Sequence, residues 1–126
     1  MTTPIARAGA FGIAIVLVGH GIWFISLQAK SFSEILMLML WVSPAVAAFV
    51  SAYLAPSTKI LLGASMAVPA AILVGAFNLL YEALGNPVDF PGVSGSLILV
   101  TITLAWNAVL CTLSASAGYL LTRKQS

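Results

Sequence analysis

Four long apolar stretches, each closed by a short polar one, organise the chain. They cover about 9–27, 35–55, 60–81 and 96–121, beginning at Gly9, Ile35, Ile60 and Ser96. Each comes close to the roughly 20 residues that a helix needs to cross a hydrocarbon core. Lipid offers the backbone no hydrogen-bonding partner, so helix is the expected form. Membrane strands would be about half as long and would alternate in polarity, which these stretches do not. The pattern predicts an all-α integral membrane four-helix bundle, with residues 1–126 forming a single transmembrane domain. Arg7 precedes the first stretch, as in a signal peptide. The apolar run is too long for a signal core, and "SLQAKSF" lacks a small-x-small cleavage pattern, so a retained helix is expected.

The connections are "LQAKSFSE", "PSTK" and "YEALGNPVDFPGVSG". Pro56 is expected to end the second helix, and Ser57 or Thr58 to cap the third. The last connection is the longest. It is rich in turn formers, among them Gly85, Asn86, Pro87 and Pro91, and it carries Glu82 and Asp89, two of the three acidic residues.

Composition sharpens this picture. Of 126 residues, 61% are apolar and 6% charged, against about half and a quarter in an ordinary soluble domain. A soluble domain of this size leaves too much surface exposed to hide so many apolar side chains, so the lipid bilayer is the expected partner. A net charge of +2, spread thinly, excludes nucleic acid. A lone cysteine, Cys111, excludes an intrachain disulfide and a multi-cysteine metal site. Basic residues near the helix ends set orientation. Arg7, Lys59, Arg123 and Lys124 fall on one side and Lys30 on the other, which places both termini in the cytoplasm. The expected location is the bacterial inner (plasma) membrane.

Helical periodicity then sorts the faces. Gly12, Gly19 and His20 share a stripe on the first helix. Gly63, Ala67, Ala71 and Gly75 form a four-residue ladder on the third, continued by Asn78 and Glu82. Thr103, Asn107 and Gly118 align on the fourth. Close packing at small residues and interhelical hydrogen bonds hold membrane helices together, so these stripes mark the contacts within the bundle. A bundle this small also leaves room for a homodimer or a larger membrane complex.

His20 is the only histidine, and an ionisable group inside a membrane is a functional hypothesis by default. Its ordinary pKa, about 6.5, suits a proton relay. The plainer reading is one hydrogen bond that locks two helices, to Asn107, Thr103 or Asn78. Asn107 sits mid-helix and needs an inward partner. Asn78 and Glu82 are positioned to line an outer opening. Pro44 and Pro69 fall near mid-membrane, where each removes a backbone hydrogen bond and becomes a gating candidate. No second histidine supports a metal, no cofactor motif is present, and no buried carboxylate orients His20 toward Ser114 or Cys111, so neither a catalytic residue nor enzyme activity is expected. In length and helix count the chain resembles small four-span proteins such as the small multidrug-resistance exporters. Their first-helix membrane glutamate has no counterpart here, and no stretch assigns the chain to that family. Two functions follow as expectations. One is an interaction or accessory subunit. The other is a small oligomeric transporter or channel with an outward-facing polar cavity around His20, Asn78, Glu82, Thr103 and Asn107.

Overall fold

A computed structural model describes residues 3–28 and 38–125. Among these the chain is helical, without strands. The helices are α1 (Pro4–Gln28), α2 (Met39–Leu54), α3 (Lys59–Ala64), α4 (Ala67–Ala83) and α5 (Gly92–Gln125). The end-to-end pair α3 and α4 forms one apolar span, Lys59–Ala83, so the architecture is the expected four-helix bundle. Pro4–Ile25, Lys59–Ala83 and Gly92–Arg123 are each long and apolar enough to cross a membrane. The apolar part described for α2 is Leu40–Leu54, and the start expected for that span, at Ile35, lies outside the described residues. α2 is central, packed against α1 on one side and α5 on another, while α4 lies against α5 and α1.

Three boundaries differ from expectation, each for a physical reason. α1 begins at Pro4, five residues before the apolar run. Thr3 Oγ1 accepts the Ala6 N–H at 3.1 Å, and Pro4 occupies the first helical turn, where its missing N–H costs nothing. α5 reaches from Gly92 to Gln125 because a helix need not stop where the lipid does. The third span is broken at Ser65–Met66. Pro69 has no N–H for the Ser65 carbonyl, and its ring crowds that carbonyl. The chain instead makes a tight turn, in which Met66 N donates to Gly63 O at 3.1 Å and Val68 N to Ser65 O at 3.1 Å. Pro44, by contrast, lies inside α2 without interrupting it.

The "PSTK" turn corrects a second expectation. Neither Ser57 nor Thr58 caps α3 with its side chain. Thr58 takes a left-handed backbone (φ 48°), and its hydroxyl donates to Ser57 O at 2.8 Å. Lys59 does the capping, and of the other helix. Its ammonium donates to the carbonyls of Ala52, Tyr53 and Ala55 at the C-terminal end of α2, where the helix dipole favours a cation.

The core is built of small residues: Ala47, Ala48, Ala52, Ala67, Ala70 and Ala115 are buried. Large apolar side chains such as Leu17, Ile25, Leu61, Leu97 and Leu113 point outward, as lipid-facing positions do. The small-residue stripes sit where the helices meet. Gly12, Gly19, Gly63, Ala67, Ala71, Gly75 and Gly118 are all buried. A Cβ on Gly63 would lie 2.7 Å from Ala48 O and against the Ala115 side chain. One on Gly118 would lie 2.7 Å from Phe49 O. Gly75 is closed by Val100 in the same way. The four-residue ladder is thus consumed by contacts to α2 and α5.

Candidate functional site

His20 is fully buried, between α1 and α2. Its Nδ1 lies 3.0 Å from Val16 O, one turn earlier, and 3.1 Å from Ser43 Oγ on α2. A carbonyl only accepts, so Nδ1 carries the proton and shares it between the two oxygens. In the neutral ring Nε2 is then an acceptor. It is buried and has no hydrogen-bond partner among the described residues. The locking partner is therefore Ser43, and not Asn107, Thr103 or Asn78 as the sequence suggested. A serine next to Pro44 in an apolar run reads as a packing residue, which hid it.

Asn107 faces inward, as its central position demands, and is 2% exposed. Its Oδ1 is the other buried side-chain atom without a partner among the described residues. One turn further along α5, Cys111 Sγ donates to Pro44 O at 3.5 Å. Ser114 Oγ donates to Ala45 O at 2.5 Å. On the far side of α2, Ser51 Oγ donates to Ala8 O at 3.2 Å. These hydroxyl- and thiol-to-carbonyl bonds staple α2 to its neighbours, and they were legible only as part of the small-residue stripes.

Asn78 and Glu82 do share a face, but both are spent on the long connection. Asn78 Nδ2 donates to Phe90 O at 2.8 Å and to Ser96 Oγ at 2.9 Å. A Glu82 carboxylate oxygen accepts the Gly92 N–H at 2.8 Å. An anion at the start of a helix satisfies an otherwise unpaired donor and meets the positive end of the dipole. Glu82→Ala is expected to lower stability by about 0.5–1 kcal/mol. Amide hydrogen exchange would show the loss as faster exchange confined to the first turn of α5. A uniform change along the helix would contradict a capping role.

Two clefts flank these residues. The outer one, about 320 Å³, includes Trp23, Asn78, Tyr81 and Asp89 in its wall. The deeper one, about 300 Å³, is lined by Trp41, Ile102, Thr103, Trp106 and Asn107. Leu40, Val74 and Leu99 belong to both walls, so the clefts adjoin. Trp41 and Trp106 meet edge to face, with ring centroids 5.3 Å apart. The five polar candidates thus divide. Thr103 and Asn107 share the deeper cleft, Asn78 borders the outer one, and His20 and Glu82 line neither. Among the described residues no three His, Cys, Asp or Glu side chains stand together to hold a metal. No known protein family matches the chain, and neither a curated protein nor a solved structure matches it.

Proposed function

We propose that the chain is a small polytopic membrane protein that acts as an interaction or accessory subunit without catalytic activity. The observation that carries this reading is the employment of Asn78 and Glu82. The two side chains best placed to form a polar outer mouth instead bind the Phe90 carbonyl, the Ser96 hydroxyl and the Gly92 amide. The polar positions hold the bundle together, and the outward faces are left for lipid and partners. α5 is the least buried of the three long apolar spans. Thr101, Ala105, Ala108 and Thr112 form a ridge of small residues on its uncovered side. The threonine hydroxyls there donate back to Leu97 O and Ala108 O, so the ridge is compatible with lipid and with a close helix contact alike.

This reading places the protein in a bacterial inner membrane with both termini cytoplasmic, as a homodimer or in a larger membrane complex. Cysteine cross-linking in native membranes tests it. With Cys111 changed to alanine, Ala105→Cys and Ala108→Cys are expected to give cross-linked species above the 13.1 kDa chain, and Leu17→Cys on α1 is not. A chain that stays monomeric with every probe would overturn the assembly. A proton-coupled flux in liposomes that is lost in His20→Asn, which keeps the Nδ1 donor, would overturn the accessory reading in favour of a transporter.

A further inference from the structure

The deeper cleft carries an inference independent of the accessory reading. Its wall is aromatic and aliphatic except for Thr103 and Asn107. The Asn107 amide, 2% exposed, has an oxygen with no donor among the described residues. The Asn χ2 torsion is broad, and rotation about it would bring this buried oxygen to the cleft. An acceptor without a donor among the described residues thus lies beside an apolar cleft inside the span, where an unmet polar group is costly.

What would satisfy it is constrained by the rest of the wall. A lipid tail has no donor. Water alone would meet the acceptor but leave some 300 Å³ of mostly apolar space poorly filled. A cation is disfavoured at this depth. The Trp41–Trp106 pair, edge to face, offers a third ring a place to stack. From these features we infer that the cleft binds a neutral aromatic ring bearing a hydroxyl, the phenol class, with the O–H donating to Asn107 Oδ1 and the ring against Trp41 and Trp106. Trp106 and Ile102 are more than half exposed, so the ring enters from the lipid between α2 and α5.

The test uses the full chain in phosphatidylcholine vesicles, with protein-free vesicles subtracted. 4-Propylphenol and 4-propylanisole differ only in the donor, since the anisole carries a methyl ether in place of the hydroxyl. The phenol is expected to bind about five- to tenfold more tightly. Asn107→Leu is expected to erase that preference while leaving anisole binding in place. Ile102→Trp, at an exposed position, is expected to block both compounds, and it keeps the test decisive if Asn107→Leu does not fold. Equal binding of the two compounds by the wild-type chain overturns the proposal. So does a preference that survives Asn107→Leu, or binding unaffected by Ile102→Trp. A hydroquinone with a long isoprenoid tail distinguishes the source. Tighter binding than the short phenol, still dependent on Asn107, points to a lipid-borne ring, and equal binding to a free phenol.

Discussion

Gly63→Ala is expected to destabilise the bundle by about 2 kcal/mol, while Gly21→Ala leaves it as stable as the parent or more stable by up to about 1 kcal/mol. The same methyl group is added in both. At Gly63 it lands where three helices meet, 2.7 Å from the Ala48 carbonyl oxygen on α2 and against Ala115 on α5. Neither neighbour is the free end of a flexible side chain, so the helices themselves must separate. Their small-residue contacts are the main attraction available in lipid. At Gly21 the new Cβ meets nothing within 4 Å among the described residues, and alanine's better helix propensity is what remains. Gly118→Ala belongs with Gly63, since its Cβ would meet the Phe49 carbonyl. Unfolding of the purified protein in mixed micelles, followed by loss of helical circular dichroism, reads the difference. Similar midpoints for Gly21→Ala and Gly63→Ala would mean that the α3 crossing is not the close contact described here.

The second large effect is at His20. His20→Ala is expected to cost about 2–3 kcal/mol, through the cavity left by a fully buried ring and the loss of the bond to Ser43. The informative comparison is between the two amides. Asparagine places a nitrogen near the position of Nδ1 and keeps a donor for Val16 O and Ser43 Oγ. Glutamine places it near Nε2, where no partner stands among the described residues. His20→Asn is therefore expected to retain most of the parent stability, to within about 1 kcal/mol, and His20→Gln to behave like the alanine variant. The same unfolding assay applies. If glutamine substitutes better than asparagine, Nε2 is the nitrogen that matters, and a structural lock through Nδ1 is the wrong account of this residue.

Much of the bundle was legible along the chain, and for one reason. A bilayer forces each crossing segment to be long, apolar and helical, so count and approximate span follow from hydropathy alone. The inward faces were legible too. In Gly63, Ala67, Ala71 and Gly75 the four-residue spacing identifies a contact ridge, and all four are buried. Helix ends were less so. The first helix starts at Thr3–Pro4, a capping pair that lies ahead of the apolar run and so is not marked by hydropathy. Lys59 capping α2 across the turn could not be seen from the preference of serine and threonine for N-caps, because it serves the preceding helix.

The sequence by itself determined that the chain is helical and membrane-embedded, that its small residues face inward, and that His20 and Asn107 lie among them. These are properties of single segments in a given solvent. Only the tertiary structure decided who meets whom. It paired His20 with Ser43, gave Glu82 to the Gly92 amide and Asn78 to Phe90 and Ser96. It placed Thr103 and Asn107 on a cleft that His20 does not line. It also separated the two prolines, since Pro69 breaks its span and Pro44 does not. The physical reason is that a hydrogen-bonding partner is set by the rotation and depth of two helices relative to each other. Both are fixed by packing summed over whole interfaces, to which no single position along the chain is a guide.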